Sequence, residues 1–349
     1  MSVPAQLEAV LEAGGARLAD SLARTEARLA EVAAGHGAEL AGHAGDTLAA
    51  GGKRLRPLLV FLCGGEGAAA DRAPAPDAEG IAADRARAAG GEQPLLAAAT
   101  AVELLHTATL VHDDVLDQAA LRRGHETIYA RGGRAAATAT GDFLFSRAFA
   151  ELAATGHEDA LRALSQASSA LAGGELMQRA DAWAADVAVE RYLERCELKT
   201  ASLFAASCRL GALLGDRPDR AGPLAGFGSH IGLAFQILDD VLDVSGPAER
   251  TGKPRGADLL DGTVTLPLIL ARERDPGLRA LDLRSAVTDP AQAEAVCERI
   301  AATGALDDSR AQALTHVAAA KRSLDSLDLN AQQRRALDLV ADGVVERYS

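Results

Sequence analysis

Two segments, LVHDDVLD and LDDVLDVS, carry the same five residues, DDVLD, inside apolar sequence. Residues four apart on a helix share a face, so Asp113 and Asp117 point the same way, as do Asp239 and Asp243. No basic residue is interleaved with either group, and carboxylates in apolar surroundings are costly unless something neutralises them. Oxygen ligands alone select a hard cation such as Mg²⁺, which commonly links protein carboxylates to phosphates. The spacing therefore predicts a metal and a phosphate-bearing ligand.

Basic residues near these segments supply groups that would bind such a ligand. A basic cluster follows two glycines early in the chain, and further basic residues follow each acidic segment. Glycines let the backbone approach an anion closely, and Lys and Arg bind phosphate oxygens. One of these residues alone would be a solvated charge, and one DDVLD alone a solvated helix end, but together they predict a diphosphate pocket. The basic residues are Lys53, Arg54, Arg56, Arg122, Arg123, Lys253 and Arg255.

The composition sets bounds on the fold and on the partners. Of 349 residues, 48% are hydrophobic and 3% aromatic, so the core must consist of Ala, Leu and Val, which favours helices. The net charge of −13 argues against a nucleic-acid partner. The four cysteines form no CxxC pair, which argues against a zinc site or a disulfide framework. No signal peptide and no membrane-spanning run is expected, and a cytoplasmic location is predicted.

Helical periodicity and helix breakers predict the elements that position the site. Apolar residues recur at helical spacings over most of the chain, and no alternating pattern predicts a strand of any length. Residues 64–94 are rich in Gly, Ala and Pro and are predicted to form a flexible surface loop. Helices are expected within 5–35, from Pro57, at 95–117, 135–155, 159–180, 188–215 and 222–245, and after a loop at 246–262.

Eight short motifs, in this order, resemble those of the trans-polyprenyl diphosphate synthases, the polyprenyl synthetase family. They are GGKRLRP, ELLHTATLVHDDVLD, LRRG, GDFLFSRAF, GELMQ, KTASLF, FQILDDVLD and GKPRGADL. The resemblance covers residues 45–270 and is weaker in the C-terminal helices. It implies an all-α, single-domain antiparallel helical bundle over residues 1–349, around a deep central cavity. The two aspartate-rich motifs would face each other near the mouth of this cavity.

The resemblance also implies a reaction and the groups that perform it. Such enzymes join isopentenyl diphosphate head to tail to an allylic diphosphate, using three Mg²⁺ ions for which Mn²⁺ can substitute. A set of acidic and polar residues would bind the metal or stand over the reacting carbons, and a second, mostly basic set would bind the diphosphates. The metal would be held by Asp113, Asp117, Asp239 and Asp243, supported by Asp114 and Asp240, with Thr200 and Gln236 facing the developing cation. Isopentenyl diphosphate would be held by Lys53, Arg56, His106 and Arg123, and the allylic diphosphate by Arg122, Lys199 and Lys253.

Product length depends, by the same resemblance, on side chains just before the first motif. Short-chain members often carry an aromatic residue four or five positions before the first aspartate, where this chain has Thr109 and Ala108. Small residues leave room for a growing tail, so the chain is similar to the medium- and long-chain subgroup that makes quinone side chains. Thr109 shares the helical face of Asp113, whereas Ala108 lies off that face.

Three other functions stay open at this point. One is a short-chain farnesyl or geranylgeranyl diphosphate synthase. Another is a terpene cyclase or head-to-head synthase, in which the GGKRLRP cluster would have no role. The third is a non-catalytic subunit of a heteromeric synthase, although such subunits typically lose the acidic motifs and this chain keeps both. The form expected from the resemblance is a homodimer without a transmembrane segment, making transient membrane contact to release its product.

Overall fold

Helices make up almost all of the described chain, which confirms the all-α prediction. The structure is a computed structural model that describes residues 3–35, 38–49, 54–65, 78–122, 124–184, 186–246 and 255–346. It divides into two compact units, and each is described by itself. Unit 1 comprises Met1–Ser168, Leu203–Gly228 and Ser323–Val340, and unit 2 comprises Ser169–Ser202, Ser229–Arg322 and Ala341–Ser349. A single domain over residues 1–349 stays a prediction.

The first half of the chain forms helices that include the longest in the described residues. Its helices are α1 (Val3–Gly14), α2 (Ala16–Ala34), α3 (Ala38–Ala49), α4 (Leu55–Gly64), α5 (Ala78–Leu116), α6 (Ile128–Ala153) and α7 (Glu158–Ala180). Helices α5 and α6 pack against each other inside unit 1. Between them lies a short antiparallel hairpin of β1 (Leu121–Arg122) and β2 (His125–Glu126). The Thr127 hydroxyl then caps α6 by accepting from the Ala130 amide at 3.1 Å.

The second half of the chain is also helical in the described residues. Its first elements are α8 (Val189–Cys196), a π-helical turn (Glu197–Ala201), α9 (Ser202–Leu214), a 3₁₀ turn (Pro218–Arg220) and α10 (Ala221–Ser245). They are followed by α11 (Ala257–Leu260), α12 (Leu266–Arg274), α13 (Pro276–Arg279), α14 (Leu283–Ala286), α15 (Pro290–Ala302), α16 (Ala305–Ser323) and α17 (Ala331–Glu346). The helices predicted at 159–180, 188–215 and 222–245 are confirmed, apart from small shifts at their ends and the π-helical turn.

Small residues let the helices of unit 1 approach each other closely. A Cβ added at Gly211 in α9 would lie 2.3 Å from the Val60 carbonyl oxygen in α4, so these two helices meet backbone to backbone. On α5 the alanines at 98, 99 and 101 are completely buried. Close helix packing therefore compensates for the small number of aromatic side chains.

The prediction of a surface loop at 64–94 is wrong for the second half of that range. Helix α5 begins at Ala78 and continues through residues 78–94 into the apolar segment. Alanine, the strongest helix former, is the commonest residue in this stretch, so its weakly apolar composition does not prevent a helix. Residues 66–77 of the predicted loop lie outside the described residues.

One segment of α5 has the length and composition of a membrane span. Gln93–Leu116 meets both criteria, and 67% of its most apolar window is buried inside the structure. Core helices of packed proteins share this composition, and this segment also carries two aspartates of the first acidic motif, Asp113 and Asp114. The expectation that the chain lacks a transmembrane segment stays a prediction.

Candidate active site

The first acidic motif occupies the C-terminal end of α5. The Asp117 amide donates to the Asp113 carbonyl at 2.8 Å, so the two residues lie one helical turn apart, as predicted. Asp113 is half-buried and Asp117 is exposed, whereas Asp114 is only 5% exposed. The motif thus presents two accessible carboxylates and buries the one between them.

The buried Asp114 pairs with Arg122, which the family resemblance predicted to bind the allylic diphosphate. Arg122 Nε donates to Asp114 Oδ1 at 2.7 Å, and the ion pair joins the end of α5 to the following hairpin. Within that hairpin Arg122 pairs with His125, which fixes the backbone that carries the guanidinium. Arg122 is about three-quarters buried, so the ion pair holds it beside the first motif. Its predicted contact with the allylic diphosphate stays a prediction.

The residues upstream of the motif differ in how accessible they are. Thr109 and His106 are half-buried, and the Thr109 hydroxyl donates to the His106 carbonyl oxygen at 2.8 Å. Ala108 is 0% exposed and lies in the packed core of unit 1. Of the two residues assigned to chain length, Thr109 is therefore the one whose side chain is accessible.

Two arginines at the start of α4 have different surroundings. The Arg54 guanidinium donates to Glu26, to Glu103 at 2.6 Å, and to the Leu48 carbonyl oxygen at 2.7 Å. These contacts hold α2, α3, α4 and α5 together, so Arg54 has a structural role. The guanidinium of Arg56 instead lies over the Phe204 ring, 4.5 Å from its centroid, in a cation–π contact.

The second acidic motif lies near the end of α10 in unit 2 and shows a related pattern of burial. Asp239 is exposed and Asp243 is half-buried, whereas Asp240 between them is 3% exposed. The Asp243 carboxylate accepts from the Asp258 amide at 3.3 Å, and its carbonyl accepts from the Gly256 amide at 3.0 Å. Gly256 has a φ of 77°, a conformation that favours glycine and returns the chain to the motif.

Asp240 is the centre of a hydrogen-bonded chain inside unit 2. Its Oδ2 accepts from the Tyr192 hydroxyl and its Oδ1 accepts from Gln236 Nε2, each at 2.7 Å. Gln236 Oε1 in turn accepts from the Thr200 hydroxyl at 2.7 Å. Burial and the nearby Asp258 carboxylate raise the pKa of Asp240 to about 8, against the opposing effect of its two hydrogen-bond donors. Thr200 and Gln236, predicted to act together, are thus in direct contact.

Lys199 stands in the π-helical turn that follows α8. Its ammonium pairs with the Glu175 carboxylate and donates to Gln178 Oε1 at 3.1 Å. Burial is the largest single influence on Glu175 and opposes its ionisation, but the charges and hydrogen bonds of Lys199 and Arg179 together outweigh it, so the pKa of Glu175 is lowered. A Cβ added at Gly174 would lie 2.5 Å from the Lys199 backbone nitrogen. The absence of a side chain at this position is what lets α7 reach the turn that carries Lys199.

Comparison with known proteins identifies the family. The sequence model of the polyprenyl synthetase family matches residues 38–303, well over half of the chain. This chain belongs to that family. The heptaprenyl diphosphate synthase component 2 of Geobacillus stearothermophilus is 37% identical over 323 residues, which cover 92% of this chain and 94% of that protein. The geranylfarnesyl diphosphate synthase of Natronomonas pharaonis is 36% identical over 306 residues, with coverages of 86% and 87%.

The fold of this polyprenyl synthetase also has solved counterparts. A polyprenyl synthase from Caulobacter crescentus CB15, crystallised with calcium and isoprenyl diphosphate, has a TM-score of 0.84 and 33% identity. The match covers 100% of this chain and 98% of that one. The chain is therefore a prenyltransferase of the polyprenyl diphosphate synthase class, as the motifs predicted. Enzymes of this class are generally metal-dependent.

The acidic residues of this synthase suit a hard cation that is shared with a ligand. Among the described residues, no three His, Cys, Asp or Glu side chains converge into a metal site by themselves. Each motif does offer two accessible carboxylates: Asp113 and Asp117 in one, Asp239 and Asp243 in the other. Mg²⁺ usually takes one or two carboxylates and completes its shell with water and phosphate oxygens. The donor set therefore fits Mg²⁺ bound together with a diphosphate.

The structure shows which predicted contacts lie within one unit and which site residues the sequence did not reveal. Three predicted residues, Lys53, Arg123 and Lys253, lie outside the described residues. The two motifs belong to different units, so their facing each other stays a prediction.

Glu175 and Tyr192 were not assigned to the site from sequence. Glu175 lies in the GELMQ motif, which offered a signal, whereas Tyr192 lies in the short, mostly charged helix α8 and belongs to none of the motifs.

Proposed function

We propose that this chain is an all-trans polyprenyl diphosphate synthase making a medium- or long-chain product. It condenses isopentenyl diphosphate head to tail with an allylic diphosphate in the presence of Mg²⁺. The observation that carries the proposal is that both DDVLD motifs are intact and lie at or near the end of a helix, each with two accessible carboxylates around a buried one. A subunit that had lost catalysis would have no need to keep this arrangement twice.

The metal ligands we propose are Asp113 and Asp117 of the first motif and Asp239 and Asp243 of the second. About three Mg²⁺ ions would be shared between these carboxylates and the diphosphate, and Mn²⁺ would substitute, since both ions prefer oxygen donors. When bound, the metal neutralises charge that builds on the departing diphosphate. The calcium and isoprenyl diphosphate crystallised with the Caulobacter crescentus synthase support a divalent cation and a diphosphate as the ligand pair.

The chain's own residues bind, orient and shield the reactants. We assign Arg122, Lys199 and Lys253 to the allylic diphosphate, as the family resemblance implies. Lys199 is suited to this because the ion pair with Glu175 holds its ammonium in place. The isopentenyl diphosphate would be held by Lys53, Arg56, His106 and Arg123.

The oxygens of Thr200 and Gln236 would face the allylic cation as the C–O bond breaks. Gln236 is half-buried and Thr200 is buried, so the bulk of both side chains is kept from water that would quench the cation. The double bond of isopentenyl diphosphate then attacks the cation, and the released diphosphate takes the proton that is lost. No side chain of the described residues is assigned as the base.

Chain length is proposed to depend on Thr109. Replacing it by phenylalanine is expected to shorten the product, because the side chain is accessible and an aromatic ring would occupy space that the growing tail needs. Reversed-phase chromatography of dephosphorylated products would measure the shift. The Ala108→Phe variant should shorten the product too, but it should also lose about 1–3 kcal/mol of stability because Ala108 lies in the core. Unchanged product length in Thr109→Phe would contradict this assignment.

A subunit of a two-component synthase is the second candidate. The relative from Geobacillus stearothermophilus is named component 2 of its heptaprenyl diphosphate synthase, which favours a partner for that enzyme. For this chain we propose a cytoplasmic homodimer that needs no other subunit and releases its product during transient contact with a membrane.

One assay separates these functions. The purified chain alone would be incubated with labelled isopentenyl diphosphate, farnesyl diphosphate and Mg²⁺, and the products sized by chromatography. Products longer than geranylgeranyl diphosphate are expected. Products of that length or shorter would support the short-chain alternative, and cyclic hydrocarbons formed without isopentenyl diphosphate would support a cyclase. No incorporation by the chain alone would overturn the proposal in favour of the two-component form.

A further inference from the structure

The hydroxyl of Tyr192 is buried in unit 2 against the carboxylate of Asp240. The residue is 0% exposed on α8, and its hydroxyl donates to Asp240 Oδ2 at 2.7 Å. Burial, and then the charge of Asp240, raise the pKa of Tyr192 well above its ordinary value, so the phenol keeps its proton. The ring itself packs beside Arg195, whose guanidinium carbon lies 5.4 Å from the ring centroid.

The hydrogen bonds beyond Asp240 fix the direction of the Gln236 amide. Asp240 Oδ1 accepts from Gln236 Nε2, so the amide oxygen must turn the other way, where it accepts from the Thr200 hydroxyl. A flipped amide would place its oxygen against the carboxylate oxygen and its NH₂ group against the hydroxyl.

We propose that Tyr192 is a positioning residue for prenyl transfer: through Asp240 it holds the oxygens of Gln236 and Thr200 toward the reacting carbons. The inference rests on the proposed function, which places those two oxygens beside the allylic cation. Tyr192 is 0% exposed and so presents no surface to a substrate. It acts by fixing the rotamer of Asp240, because a carboxylate that has lost one of two buried donors can rotate and release the amide.

The Tyr192→Phe variant isolates this role, since it keeps the ring and removes only the hydroxyl. We expect kcat to fall about 10-fold, with the KM values of both diphosphates changed less than about twofold, because binding groups are untouched. Tyr129→Phe, at the half-buried start of α6, is the matched control and should keep the wild-type kcat. Steady-state kinetics over both substrates measure the split.

A double-mutant cycle tests whether Tyr192 acts through the glutamine. If it does, adding Tyr192→Phe to Gln236→Leu lowers kcat no further than Gln236→Leu alone. A further 10-fold fall in the double variant would overturn the proposal, as would a Tyr192→Phe enzyme with unchanged kcat. If Tyr192→Phe does not fold, the kcat of Tyr192→Phe/Asp240→Asn is compared with that of Asp240→Asn, because neither of these variants buries an unpaired carboxylate. The expected and the contradicting results are the same as for the pair that contains Gln236→Leu. Loss of the proposed function itself would appear differently, as a wild-type enzyme without activity.

Discussion

Replacing Asp239 by alanine is expected to lower kcat about 1,000-fold while leaving the fold intact. Asp239 is exposed on α10, so removing its carboxylate costs little stability, but it removes a ligand proposed for the metal that neutralises the departing diphosphate. Asp113→Ala in the first motif is expected to have the same effect. Initial rates at saturating isopentenyl and allylic diphosphate, in excess Mg²⁺, would measure both.

The control for these variants is an aspartate outside the motifs. Asp159 is exposed on α7 and pairs with Arg162, so Asp159→Ala should keep the wild-type kcat. Thermal denaturation should give Asp239→Ala, Asp113→Ala and Asp159→Ala similar Tm values. Full activity in either motif variant would refute its role as a metal ligand.

Gly174→Ala is the second substitution with a large expected effect. The new Cβ would lie 2.5 Å from the Lys199 nitrogen and 2.8 Å from its Cα, and backbone atoms cannot move aside as the end of a side chain can. Helix α7 must therefore shift from the π-helical turn, at a cost of about 1–3 kcal/mol. The shift also displaces Lys199 from Glu175, and kcat should fall by about 10- to 100-fold, since small misplacements cost that much.

The neighbouring glycine is a matched control on the same helix. A Cβ added at Gly173 would meet nothing within 4 Å, so Gly173→Ala should keep full activity. Because alanine is the better helix former by about 1 kcal/mol, its Tm should equal or exceed that of the wild type. The kcat and Tm of Gly173→Ala and Gly174→Ala, measured side by side, would test this difference. If Gly174→Ala behaved like Gly173→Ala, the close packing of α7 against the Lys199 turn would be wrong.

The helices and the pattern of carboxylates followed from the sequence because both depend on local spacing. Helical periodicity in an Ala- and Leu-rich chain predicted α10, and the spacing of four placed Asp113 and Asp117 one turn apart. The loop predicted from composition at residues 78–94 was wrong. Few apolar residues suggested a loop there, although alanine and arginine support a helix. Spacing alone also did not show that Asp114 and Asp240 are buried while the aspartates around them stay accessible.

The partners of the site residues could not be predicted, because they come from distant parts of the chain. Lys199 meets Glu175 across 24 positions, and Tyr192 meets Asp240 across 48. Such pairs form only when helices pack. The spacing of residues along one helix does not indicate which residue of another helix they will contact. Tyr192 in particular looks like any apolar position of an amphipathic helix until its hydroxyl is seen against a carboxylate.

Binding of an unreactive allylic diphosphate tests the proposed metal–diphosphate site most directly. Isothermal titration of the wild type with farnesyl thiodiphosphate should show tight binding in Mg²⁺ that is lost when EDTA removes the metal. Asp113→Asn and Asp239→Asn, which keep the size of each side chain, should each weaken binding at least about 10-fold, because each removes a carboxylate proposed to bind the metal. Binding that survives EDTA, or that neither substitution changes, would contradict the claim that the two DDVLD motifs hold a metal–diphosphate complex.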